Sequence, residues 1–96
     1  MAVYFITETN TREAMLTVKE APARSGGVPD LARKHGLEIL EWFFTTGEFD
    51  FIMKVESPDE ESVAVFAMAL RRSGNVTVSV LKAYEPSAWA ELVGRL

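Results

Sequence analysis

Few residues in this chain have side chains suited to chemistry, and two of them are candidates for moving a proton. Asp50 follows the Gly47 turn and opens a strand; a carboxylate buried there would have a raised pKa and could act as a general base. The plainer role for an Asp beside a turn is to accept hydrogen bonds from turn amides, and it is the favoured one. His35 is the chain's single histidine, and an imidazole titrates in the range that acid–base catalysis needs. It precedes Gly36 at a predicted helix end, where a protonated ring is favoured without any catalytic role. Tyr4, Trp42, Phe44 and Tyr84 could line an apolar pocket, with Asp50, Thr77 and Ser79 as its polar contacts. Strand aromatics more often form core or interface, and strand Thr and Ser also bond across strands. The acidic run Asp59-Glu60-Glu61 suits a helix first turn better than a cation site. Ser25-Gly26-Gly27 could form an amide nest for an anion, but no phosphate-loop pattern surrounds it. The chain has no cysteine, which excludes disulfides, thiolate metal sites and cysteine nucleophiles. One histidine excludes a multi-histidine centre on one chain. No metal site and no cofactor is expected, and no catalytic set is assigned.

The elements that must position these residues are readable. Ala2–Glu8 is rich in β-branched and aromatic residues and predicts a first strand. Asn10-Thr11-Arg12-Glu13 has capping-box spacing, so a helix is expected from about Thr11 to Ala21. Pro22, Gly26, Gly27 and Pro29 break it, leaving the path of residues 22–30 open, and helix resumes over Asp30–His35. Leu37–Thr45 and Glu48–Glu56 predict two strands joined by a tight Thr46-Gly47 turn, hence an antiparallel hairpin. In the second of these, Phe49, Phe51, Met53 and Val55 share an apolar face. Ser57-Pro58-Asp59-Glu60 predicts a capped helix start with Ser57 as the cap. Val63, Phe66, Ala67 and Leu70 form its buried stripe, and Gly74 ends it. Asn75–Tyr84 predicts the last strand. Pro86 opens a short final helix with Trp89, Leu92, Val93 and Leu96 on one side.

The order β-α-β-β-α-β plus a terminal helix predicts an α+β ferredoxin-like sandwich: one domain over residues 1–96, with a four-stranded antiparallel sheet and two main helices on one face. A chain of 96 residues with 48% hydrophobic and 25% charged residues suits one globular domain. The net charge of −4 and the lack of a basic run argue against nucleic acid and anionic lipid as partners. RNA-recognition motifs share this element order, but Glu48 and Asp50 beside Phe49 and Phe51 would repel phosphate. No apolar run is long enough for a membrane span, and a cytoplasmic location is expected.

The sheet's second face is expected to carry Asp50, Ile52, Lys54, Thr77, Ser79 and Leu81. The first two strands have large apolar residues on both faces: Val3 and Phe5 against Tyr4 and Ile6, and Phe43 against Trp42 and Phe44. A solvated face holds fewer such groups. A second copy packed sheet to sheet would cover it, so a homodimer or larger homo-oligomer is expected.

Thr45-Thr46-Gly47-Glu48-Phe49-Asp50 resembles the Gly-x-Tyr-Asp turn of the GYD-domain family, in the dimeric α/β-barrel superfamily. The resemblance continues through Tyr4, Pro22-Ala23-Arg24, Gly36, Trp42-Phe43, Glu56-Ser57-Pro58-Asp59, Gly74-Asn75-Val76 and the apolar-acidic last helix. Phe49 stands where the family has tyrosine, and Ser25-Gly26-Gly27 and Pro29 fall where it has continuous helix. The resemblance implies a ferredoxin-like fold and dimeric barrel assembly, without a general activity. Neighbouring families include cofactor-independent monooxygenases, isomerases, haem enzymes and small-molecule sensors, so the fold does not select a reaction. The expected function is binding of a small, partly apolar molecule, or service as an oligomeric accessory module. The alternative is a cofactor-independent monooxygenase- or isomerase-type enzyme with its pocket between sheet and helices.

Overall fold

A computed structural model describes all 96 residues. Four strands form one sheet: β1 (Ala2–Asn10), β2 (Glu38–Phe44), β3 (Phe51–Ser57) and β4 (Val76–Ala83). Their order is β2-β3-β1-β4, and every neighbouring pair is antiparallel. The long connection after β1 carries α1 (Arg12–Leu16), α2 (Ala21–Arg24) and α3 (Val28–Lys34). The connection after β3 is α4 (Glu60–Arg72), and α5 (Pro86–Val93) follows β4. This is the ferredoxin-like α+β arrangement expected from the element order.

The sheet is two-faced because strand side chains alternate. Tyr4, Ile6, Met53 and Val55 point under the helices and meet Val63, Phe66 and Leu70 of α4, with Ala32 and Leu37 closing the core. The apolar residues of α4 recur at helical spacing, and its first turn holds Glu60 and Glu61 where negative charge suits the helix dipole. The other sheet face has no helix over it.

Several boundaries differ from the expectation, each for a local reason. Asp59, not Ser57, caps α4: its Oδ1 accepts from the Ser62 amide at 2.7 Å. Ser57 ends β3 on the core face, fully buried, and its hydroxyl donates to the Asp59 carbonyl instead. Thr11, one residue past Asn10, caps α1 by accepting from the Ala14 amide. β3 starts at Phe51 rather than Glu48, because residues 46–50 form a bend. In that bend the Thr45 hydroxyl donates to the Phe49 carbonyl and the Thr45 amide donates to the Asp50 carbonyl. Between Leu16 and Val28 the chain stays coiled, alternating short α segments with 3₁₀ turns at Val18–Glu20 and Ser25–Gly27. Pro22 and Pro29 sit near the starts of their segments, where a missing N–H costs nothing.

Gly36 ends α3 at φ +81° and sends the chain into β2. A Cβ built there would meet only Pro58 Cγ at 3.8 Å, so space is not the constraint. Gly36→Ala is expected to cost about 1 kcal/mol through left-handed backbone strain alone. Denaturant unfolding would check this; an unchanged midpoint would contradict it.

Candidate functional site

The α1–α3 segment covers its end of the sheet loosely. Of its residues that border the sheet, Ala21, Ser25 and Gly27 are small, and below them lies a cavity of about 590 Å³. That volume suits a small organic molecule. The floor is the sheet, through Glu8 and Asn10 of β1, Trp42 and Phe44 of β2, Phe51 of β3 and Val76 of β4. Leu31 closes one side, and Ala69, Leu70 and Ser73 of α4 close another.

Strand register explains the floor. Glu8 pairs with Phe51 of β3 and Val78 of β4, and Phe51 pairs with Phe44 of β2. One cross-strand row therefore reads Val78, Glu8, Phe51, Phe44. The adjacent row places Trp42 beside Met53 and Ile6. The Phe51 ring lies 6.1 Å from Phe44 and 6.4 Å from Trp42 between centroids, both within aromatic pairing distance.

Glu8 is the unusual member. It is only 5% exposed, and its Oε1 has no hydrogen-bond partner. Burial away from water disfavours the ionised form and pushes its pKa up from 4.5 to about 7. The indole Nε1–H of Trp42 is also buried without a partner. The cavity floor thus offers one unused carboxyl and one unused donor among aromatic rings. Arg24 also lines the cavity, but its guanidinium is committed: Nη1 donates to Thr17 Oγ1 at 2.9 Å and lies 3.6 Å from Glu20 Oε2. Its Nη2 donates to the Ala14 carbonyl at 3.5 Å.

The residues singled out from sequence fall in different places. Trp42 and Phe44 line the cavity. Tyr4 is buried in the core beneath α4 and borders a second, smaller hollow of about 370 Å³ beside β4. Thr77 and Ser79 face away from the helices, opposite Thr9 and Thr7, because they alternate with the inward Val76 and Val78. Tyr84 lies beyond the end of β4, exposed, with Lys82 Nζ 5.3 Å from its ring centre. The structure therefore does not bring these residues into one pocket. His35 sits at the C-terminal end of α3 and does not line the cavity. Asp50 Oδ2 accepts from the Asn10 amide at 2.7 Å, and the Asp50 amide donates to the Glu8 carbonyl at 2.8 Å. Asp50 thus pins the bend to β1, just behind the cavity floor. Asp50→Ala is expected to cost about 1–2 kcal/mol by stranding the part-buried Asn10 amide, while Asp50→Asn keeps an acceptor and costs less. Equal losses in urea unfolding of the two variants would contradict that role.

Glu8 was missed by sequence reasoning. Half of its signal was present: it continues the Tyr4, Ile6 alternation, but which face of β1 the helices cover follows only from the pairing of Glu8 with Phe51. No group of three or more His, Cys, Asp or Glu side chains comes together as a metal-holding cluster. No helix is long and apolar enough to cross a membrane.

Known proteins bear on the fold more than on the site. The crystal structure of FFRP-DM1 matches with a TM-score of 0.57 at 21% identity, covering 88% of this chain and 100% of that one. A hypothetical protein, PHS023 from Pyrococcus horikoshii, matches with a TM-score of 0.55 at 21% identity, covering 88% and 92%. At that identity the likeness speaks for the fold alone. No curated protein matches the sequence. The family model of the GYD domain matches residues 4–93, nearly the whole chain, in keeping with the ferredoxin-like sheet and the Gly47–Asp50 turn, and this chain belongs to the GYD domain family.

Proposed function

We propose that the protein binds a small, partly apolar molecule in the cavity between the sheet and the α1–α3 segment, and that it does so as a homodimer. The observation that carries the ligand reading is the unpartnered, buried Glu8 carboxyl on an aromatic floor. A buried polar group without a partner is costly, and a ligand able to pair with it would repay that cost. The dimer rests on the uncovered sheet face. There Phe5 and Leu81 are cross-strand partners, as are Phe43 and Ile52, and Phe43 and Leu81 are 58% and 52% exposed. A contiguous apolar face of this kind usually belongs to an interface.

Native mass spectrometry tests both parts. The expected spectrum shows a two-chain assembly carrying an extra small mass that is released on denaturation. Phe43→Lys is expected to give single chains, since it buries a charge in the contact. Bare single chains of the unmodified protein would overturn the dimer. Repeated failure of any small molecule to perturb the Trp42 indole would overturn the ligand site.

A second reading is favoured by the burial of Glu8 in the cavity floor: a carboxyl whose pKa is pushed up to about 7 by burial is matched to proton transfer near neutral pH. In that case the bound molecule is turned over with Glu8 as the base, in place of Asp50 or His35. Glu8→Gln would then abolish turnover while leaving the fold intact.

A further inference from the structure

We infer that the cavity takes an organic amine: an ammonium group on an apolar body, with Glu8 as its counter-ion and the rings of Trp42, Phe44 and Phe51 as its walls. The inference rests on the ligand-site reading above and narrows it to one chemical class.

Charge inside the cavity carries the argument. Glu8 and Arg24 are the ionisable side chains that line it, and Arg24 is already held by Thr17, Ala14 and Glu20. Glu8 therefore has no cation of its own, and its Oε1 lacks any hydrogen bond. The neighbouring Asp50 carboxylate is occupied by the Asn10 amide and adds negative charge behind the floor. An anionic ligand would meet an uncompensated carboxyl. A neutral one would leave the charge unpaired or require Glu8 to keep its proton. An ammonium group supplies the missing donor and the missing charge together, in surroundings where a charge-assisted bond is strong.

The rings point to the same class. Phe51 of β3 adjoins both Phe44 and Trp42 of β2, at 6.1 and 6.4 Å, and all three rings border the cavity. Aromatic faces attract cations through their quadrupole, most strongly when water is excluded. Small residues overhead leave room for an apolar body. The net charge of −4 draws cations toward the molecule.

Three probes of one size and different charge test this: 2-phenylethylammonium, 2-phenylethanol and phenylacetate, each titrated at neutral pH into the isotope-labelled protein. The readout is the indole N–H resonance of Trp42. Trp89, 64% exposed on α5, serves as the internal control. The expected result is movement of Trp42 alone, with the ammonium probe binding at least about tenfold tighter than the alcohol and phenylacetate weakest. Glu8→Gln should bring the ammonium affinity down to that of the alcohol, with a dispersed amide spectrum confirming the fold. Phe44→Leu, at a 69% exposed position, should weaken the ammonium more than the alcohol. Alcohol or phenylacetate binding as tightly as the amine would sink the amine assignment and leave the pocket standing. A Trp42 resonance unmoved by all three would take the pocket reading down as well.

Discussion

Stability is expected to fall by about 3 kcal/mol as the pH rises from about 4 to about 8, and Glu8→Gln to remove the fall. The Glu8 carboxyl titrates at 4.5 in an unfolded chain and at about 7 in the folded one, because folding takes it out of water. Below 4.5 both states hold the proton and Glu8 costs nothing extra. Between 4.5 and about 7 the unfolded chain ionises while the folded chain keeps its proton. The folded state then binds more protons, so stability declines with rising pH. Above about 7 the folded carboxyl must ionise in its buried site, and the full cost is present. The Asp59 cap works in the opposite sense: the Ser62 amide holds its carboxyl below 3.8, so that contribution is lost only in more acidic solution. The two windows are separate. Urea unfolding of both proteins across this range gives the answer, since Gln keeps the shape and removes the titration. Parallel stability profiles would show that Glu8 is solvated, and the unpaired-carboxyl basis of the site would go with it. A bound amine should shrink the decline, because it gives the ionised carboxyl a partner.

Much of the fold was legible because local signals agreed with one another. Phe51, Met53 and Val55 alternate on an unmistakable apolar face. The Val63 to Leu70 stripe has helical spacing. Gly36 and Gly74, both at positive φ, mark helix ends where the sequence places them. The misses share a cause: each was decided by which face a residue presents after the sheet assembles. Ser57 and Asp59 are both good caps, but the pleat of β3 turns Ser57 into the core and leaves Asp59 free to cap. Thr77 and Ser79 are sound polar contacts for some site, but they share a strand face with Leu81, away from Trp42. β1 is apolar on both sides, so its alternation groups Glu8 with Tyr4 and Ile6 without telling which face is covered, until register ties Glu8 to Phe51. The cavity itself is made by what is missing. Ser25 and Gly27 look like poor helix in the sequence and Ala21 like the end of a good one, and only their position over the aromatic floor makes their small size a space.

Phe66→Ala is expected to cost about 3–5 kcal/mol, whereas Leu31→Ala should cost less than half as much. Phe66 is fully buried at the centre of α4, packed with Ile6, Met53 and Val55, so truncation leaves a hole its neighbours cannot fill. Leu31 is half-buried and already borders the cavity, so part of its side chain has no partner atoms to lose. A domain of this size has a total stability of about 5–15 kcal/mol, so the Phe66 loss is a large fraction of the whole while the Leu31 loss is a smaller one. Denaturant unfolding of the two variants side by side decides it, and equal losses would mean that both halves of the helical layer are packed alike. The difference has a functional side. Stability is concentrated where α4 meets the sheet, and the opening is placed where the broken α1–α3 segment meets it. Residues of the α1–α3 segment lining the opening can therefore be changed to probe or alter ligand preference without unfolding the sheet that carries Glu8, Trp42 and Phe51. Changes beneath α4 would remove that platform altogether.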